Sequence, residues 1–555
     1  MAAVWTLAGA AVFVKLLLIP SYRSTDFEVH RNWLAITHNL PVRQWYTDET
    51  SQWTLDYPPL FAWFECFLSY IATQFDSKML EVSNLNYASE STVLFQRLSV
   101  IFTDFVYYFA VYEFQNCGHL IKRDGKKNSP FNLAVVPILL IFNIGLFIVD
   151  HIHFQYNGIL FGIMLLSITR ILQDKPEHSA FWFAVLLNMK HIFVYIAPAY
   201  FIYLLRTFCF QENKPISLSR IDFKKLANLA SVVAGVFVLS FGPFIYFQQV
   251  GQVLSRLFPF KRGLVHAYWA PNFWALYSGV DKVLTVAGVK LGLLNSSQVP
   301  AGSMTAGLVQ EYSHVALPSI PAGFSLIVVL FGIMPALLNL WHQRTKVSFV
   351  RTVIICALTS YMFGWHVHEK AILMAIIPMT LMVMYSKQDA KLYLILATTG
   401  FYSLFPLLFT PFENILKVLL LAISCIFSFK ALDNVYGSPK KSVSFTKSEI
   451  QLKSLMLLQL PLLNLTESIY IWGLLALGLF NSIGFWMFGI EKRYPFLPLL
   501  LTSVYCSLGV LYCWLEFYRL TLTEGLTRVY KYLGIASDES LYPDKYGKMT
   551  NKRKD

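Results

Sequence analysis

Six short stretches hold most of the side chains that could do chemistry. STDFEVHRNW (Ser24–Trp33) places Asp26, Glu28, His30 and Arg31 within six positions, directly after a long apolar segment. The others are LDYPP (Leu55–Pro59), DHIHFQYNG (Asp150–Gly158), Lys190 with His191, FPFKRG (Phe258–Gly263) and GWHVHEK (Gly364–Lys370). They supply the carboxylates Asp26, Glu28, Asp56, Asp150 and Glu369. With Arg256 just ahead of FPFKRG, they also supply the cations or potential cations Lys190, Lys261, Arg262, His366, His368 and Lys370. Trp33, Trp45, Tyr46, Trp53, Tyr57, Trp269, Trp274 and Trp365 lie close by in sequence. Carboxylates accept a hydroxyl proton, cations hold a phosphate, and tryptophans stack on sugar rings. Together they suit transfer of a sugar from a lipid phosphate to an alcohol. A positioned carboxylate base contributes about 10²–10⁴-fold to such a step. The departing phosphate needs its growing charge held in a partly dry site. There is no DxD, HExxH or GxxxxGKS/T motif, so neither a metal, a cofactor nor a nucleotide cradle is expected.

Each stretch also has a plainer reading. LDYPP is a helix-stopping turn as readily as a site, since two prolines end helices. The pairs His151/His153 and His366/His368 are two residues apart, which points the rings to different faces of a helix and favours boundary histidines over metal ligands. Glu369 and Lys370 could neutralise each other. FPFKRG could be an interfacial anchor with snorkelling cations or a phosphate-binding segment. Glu28 could bind an acceptor sugar or hold Arg31.

Something must bring these stretches together. The 555 residues are 56% hydrophobic and only 14% charged, with mean hydropathy +0.51. Soluble chains run nearer a quarter charged. Apolar runs recur from end to end, with cores at Leu133–Val149, Val232–Phe247, Phe324–Leu340, Ile372–Tyr385 and Leu497–Leu515. The expectation is an all-α polytopic membrane protein of about fourteen transmembrane helices in a single domain over residues 1–555. Val4–Ile19 is expected to be a retained anchor, since it lacks a positive n-region and a cleavage site. The seven cysteines form no CxxC pair, so no disulfide framework or zinc site is expected.

The net charge of +13 is spread over short loops rather than a basic domain with interleaved aromatics, so no nucleic-acid partner is expected. Ile121–Asn128, Arg206–Lys225, His342–Lys346, Lys440–Lys447 and the final NKRKD hold 17 Lys and Arg in 46 residues. Two long loops of the opposite set, about 21–92 and 251–318, hold 9 in 140, so the first set is assigned to the cytosol. Both termini, including a basic tail from about residue 519, are then cytosolic. All six chemical stretches then face the opposite compartment and can converge there. The sequon at Asn295 falls on that face; a second, at Asn464, has no clear side.

In order, TDFEVHRNW, QWTLDYPPLFAWFE, DHIHFQYNG, RLFPFKRGL and GWHVHEKAIL resemble the endoplasmic reticulum glucosyltransferases that use dolichyl-phosphate glucose to extend the dolichol-linked oligosaccharide. The resemblance covers nearly the whole chain. TDFEVHRNW, LDYPPLFAWFE and GWHVHEK resemble the branch that adds the second glucose more than the branch that adds the first, which carries variants such as GDFEAQRHW, LDYPPLTAY and FQVHEK. What the resemblance implies is a GT-C-type fold in the endoplasmic reticulum membrane, with a lumenal active site. Dolichyl-phosphate glucose would be the donor, a dolichyl-diphosphate-linked oligosaccharide the acceptor, and membrane lipid the surroundings, with an α-1,3 linkage formed by inversion. By similarity Asp26 is the general base. His368 and Lys370 handle the donor phosphate, joined by Arg262 and Lys190. Glu28, Asp56, His153, Gln155 and Glu369 contribute acceptor contacts or site architecture. The rival from another class is a secondary transporter. It would place ionisable groups near the bilayer midplane and in related halves. Here the charges gather at span ends and no internal repeat is seen.

Overall fold

The computed structural model describes residues 2–121, 130–210, 221–258, 263–265, 270–295, 314–437 and 458–532. Ten helices among these are long and apolar enough to cross a membrane, from Glu90–Cys117 to Leu497–Gly525. Ala3–Leu17, Pro59–Ala72 and Asn157–Leu172 are shorter apolar helices. The chain is therefore a multi-pass, all-helical membrane protein. The described residues contain no strand, only the isolated bridges Phe210–Ile221 and Val265–Val367. Lys261, Arg262, Trp269, most of Ile121–Asn128, residues 211–220, Lys440–Lys447 and the final NKRKD lie outside the described residues.

Two boundaries differ from the sequence reading. The segment expected to be a loop over about 21–92 carries two helices, Thr25–Asn39 and Pro59–Ala72. Ser24 caps the first by accepting from the Asp26 amide, and Pro59 opens the second at its first position, where proline's missing N–H is not needed. LDYPP thus ends an extended approach and starts a helix. The last helix, Leu497–Tyr532, runs on past the expected tail start at residue 519.

The Glu90–Cys117 and Asn157–Leu172 helices approach each other closely, and glycine makes this possible. A Cβ on Gly162 would sit 2.7 Å from the Tyr107 amide nitrogen, and one on Gly158 would overlap the Asp104 carboxylate. Small residues four apart let membrane helices touch backbone to backbone. That contact sets Asp104, 1% exposed, beneath the DHIHFQYNG turn. Lys15 Nζ lies 2.7 Å from Asp104 Oδ2 and from Tyr108 Oη, and His151 Nε2 lies 2.8 Å from the same Asp104 oxygen. Buried charges in a membrane protein persist where they are paired, and this cluster ties the first helix to the segment bearing His151 and His153.

Candidate active site

The polar residues meet where helices end. Asp26 stands in the first turn of Thr25–Asn39, where the positive end of the helix dipole favours a carboxylate. His153 is the penultimate residue of the π-helical turn Phe147–Phe154, Asn157 opens Asn157–Leu172, and Lys190 separates Pro176–Met189 from His191–Ile196. Lys370 follows Lys346–Phe363 by a short turn.

Asp26 Oδ2 is the hub. Lys370 Nζ donates to it at 2.6 Å and Gln155 Nε2 at 2.7 Å, and His153 Nε2 lies 3.2 Å away. Lys370 also donates to His153 Nε2 at 2.9 Å. Among the described residues every such contact falls on Oδ2. Oδ1 has none, and 22% of the side chain stays exposed. Burial, the largest single influence, pushes the Asp26 carboxyl up. Lys370, joined by His153, outweighs it and holds the group well below the usual carboxylate range. The Asp26 carboxylate is therefore ionised throughout the neutral range.

A relay of amides extends the hub. Gln155 Oε1 accepts from Asn157 Nδ2 at 2.7 Å, and Asn157 Oδ1 accepts from Lys190 Nζ at 3.0 Å. Asp150 fixes the relay by accepting from Asn157 Nδ2 at 2.8 Å and from the Gly158 amide at 2.6 Å. Lys190 sits 4.9 Å above the Tyr57 ring. Burial first, then the like charge of Lys370, brings the Lys190 ammonium down to about 8, against the pull of Asp150, Asp26 and Asp56. Lys190 is thus charged below pH 8 and neutral above it. If its cation helps hold an anionic donor, kcat/KM for that donor falls as pH rises through about 8. Lys190→Arg, which stays charged, abolishes that limb. A donor-saturation series from pH 6.5 to 9.5 checks this; a limb unchanged in Lys190→Arg would contradict it.

The remaining candidates divide. Glu28 gives both carboxylate oxygens to Arg31, at 2.7 and 2.8 Å, while Arg31 also reaches the Met79 and Glu81 carbonyls. The geometry therefore assigns Glu28 to holding Arg31. His30 Nδ1 pairs with Glu65 at 2.7 Å, so only Asp26 of the first cluster turns to the hub. Asp56 is partly buried and acts on Lys190 and Tyr57 by its charge. Glu369 is 3% exposed, and burial raises its carboxyl. Lys370 gives its hydrogen bonds to Asp26 and His153. His368 is half-buried, with its ring 5.7 Å from that of His366. His366 takes a positive φ of 52° and is pinned by Nδ1 on the Gly263 carbonyl at 2.8 Å and by its amide on the Leu264 carbonyl at 3.0 Å. The HVHEK turn is thus fastened to the residues that follow Arg262 in sequence.

Sequence reasoning did not single out Asn157, Asp104, Lys15 or Arg97 as site residues. Asp104 and Lys15 carried a usable signal, since ionisable residues inside apolar runs are rare and mark function by default.

An ionised carboxylate with one free oxygen, ringed by lysines, a histidine and amides at one membrane-protein site, is the arrangement a sugar transfer from a lipid phosphate needs. The protein's relatives are glycosyltransferases. The chain matches the ALG6, ALG8 glycosyltransferase family over residues 11–517. It is 50% identical over 524 residues, 94% of this chain and 96% of the relative, to a Mus musculus protein named dolichyl pyrophosphate Glc1Man9GlcNAc2 alpha-1,3-glucosyltransferase. An Arabidopsis thaliana protein of the same name is 43% identical over 520 residues, 93% of this chain and 97% of the relative. A Drosophila melanogaster protein given that name as probable is 46% identical over 522 residues, 93% and 94% of the two chains. This chain belongs to the ALG6, ALG8 glycosyltransferase family.

Proposed function

We propose that the protein transfers glucose from dolichyl-phosphate glucose to the mannose-rich, singly glucosylated oligosaccharide on dolichyl diphosphate, adding the second glucose in α-1,3 linkage with inversion. The relatives' names, with Glc1Man9GlcNAc2 in them, support this over addition of the first glucose. The site would lie in a GT-C-type fold on the lumenal face of the endoplasmic reticulum membrane, with both termini in the cytosol. The observation that carries the reading is the 2.6 Å pair between the Asp26 carboxylate and the Lys370 ammonium, which supports a base beside a cation for the donor phosphate.

In this reaction the acceptor hydroxyl loses its proton to Asp26 while its oxygen bonds to the anomeric carbon. The bond from that carbon to the phosphate oxygen breaks, and its electron pair leaves on dolichyl phosphate. Lys370, with His368 and Lys190, stabilises the departing phosphate. Lys370 lies against Asp26. A donor phosphate brings Lys370 a second anion to share, which weakens its hold on Asp26 and raises the basicity of the carboxylate. Gln155 keeps Oδ2 oriented while Oδ1 meets the acceptor.

The test supplies purified protein and the singly glucosylated acceptor with a panel of donors. Glucose is expected to pass from dolichyl-phosphate glucose and not from a nucleotide-activated glucose. Transfer from the nucleotide donor alone would overturn the reading.

A further inference from the structure

Arg97 lies in the Glu90–Cys117 helix, is 2% exposed and forms no ion pair with a carboxylate among the described residues. Its guanidinium instead donates to four backbone carbonyls. Nη1 reaches His151 at 2.8 Å, and Nη2 reaches Tyr22 at 2.8 Å, Ile152 at 3.0 Å and Ser21 at 3.4 Å. Two of these belong to the connection that leads into Asp26. The other two belong to the turn that carries His153 and Gln155. One planar fork therefore sets the register between the segments whose side chains meet at Asp26 Oδ2. Lysine, with a single nitrogen, cannot span the same four acceptors.

The turn needs such a hold. Phe154, between His153 and Gln155, has φ of +90°, a strained conformation for a non-glycine residue that persists only where its surroundings over-determine it. Arg97 grips the two carbonyls just before His153, and the Ser24 hydroxyl donates to the His153 carbonyl itself. The Arg97 guanidinium also lies 5.7 Å from the Phe154 ring centre. On the other side, Tyr22 is fixed through its amide, which donates to Glu413 at 2.7 Å.

We infer that Arg97 is a positioning residue for Asp26, holding the Ser21–Tyr22 and His151–Ile152 backbones so that His153 and Gln155 meet the base. The inference rests on the reading of Asp26 as the base. The plainer alternative is that Arg97 only satisfies carbonyls left open at the end of a helical turn. That role predicts lost stability and nothing else.

The experiment compares wild type, Arg97→Lys and Arg97→Ala in the full-length purified protein. It measures thermal stability, kcat, donor KM and the pH profile of transfer from dolichyl-phosphate glucose. The charged groups around the readout are Lys370 and His153 at Asp26, Lys190 and Glu369 further out, and Arg23 and Glu413 near Arg97. With the register loosened, the cationic hold on Asp26 weakens and its carboxyl rises toward the ordinary range. The acid limb of activity then moves to higher pH. The expected result for Arg97→Lys is a folded protein with kcat down about tenfold or more, donor KM within twofold, and that shifted limb. Variants with lowered stability but unchanged kcat and acid limb would overturn the role. So would failure of both variants to fold, which would make Arg97 a folding residue. A wild type that transfers no glucose would instead overturn the reading of the reaction.

Discussion

Asp26→Asn is expected to lower kcat by roughly 10²–10⁴-fold while leaving donor binding within a few-fold of wild type. The amide has nearly the shape of the carboxylate and can still accept from Lys370 and Gln155, so the hub keeps its outline. What it loses is the ability to take the acceptor proton. Asp26→Glu keeps that ability but moves the oxygens by one methylene away from Gln155 and Lys370, and should recover part of the loss. Single-turnover transfer with preloaded donor separates the chemical step from binding. A mutant near full rate would place the base elsewhere. Glu28 is a poor substitute, because both its oxygens are given to Arg31.

Removing Lys370 should be nearly as damaging, through different parameters. Lys370→Met takes away the cation nearest both the base and the expected phosphate position, and kcat/KM for the donor should fall by about 10²–10³-fold. It also removes the strongest of the influences that depress the Asp26 carboxyl. The sign follows directly. Asp26 then holds its proton to a higher pH, and the acid limb rises in Lys370→Met. Lys370→Arg keeps the charge and should keep the limb near its wild-type position while recovering part of the rate. Equal acid limbs in wild type and Lys370→Met would show that the 2.6 Å contact does not set the base's proton affinity.

The polar cluster was legible in the sequence because its residues gather in short stretches between apolar runs and because those stretches carry the family resemblance. Asp26, His153, Gln155, Lys190 and Lys370 were all named there, and they form one hydrogen-bonded chain through Asn157. The division of labour inside STDFEVHRNW was not legible. Helical spacing places Glu28 and Arg31 three apart, yet only the Met79 and Glu81 carbonyls show why Arg31 stays inside and keeps Glu28 with it. Arg97 was missed for a related reason. Its partners are backbone carbonyls, and a sequence carries no signal for which carbonyls will be left unpaired. Thr25–Asn39 was hidden because Asp26, Glu28, His30 and Arg31 break up its apolar residues, and Pro59–Ala72 because its 14 residues are too few for a span.

The most direct test of the account offers wild-type protein two lipid-linked acceptors, one carrying a single glucose and one carrying none, with dolichyl-phosphate glucose as donor, and weighs the products by mass spectrometry. The singly glucosylated acceptor is expected to gain one hexose and the unglucosylated acceptor to stay unchanged. Gain on the unglucosylated acceptor alone would assign the protein to the other branch of its family, and gain on neither would contradict glucose transfer itself.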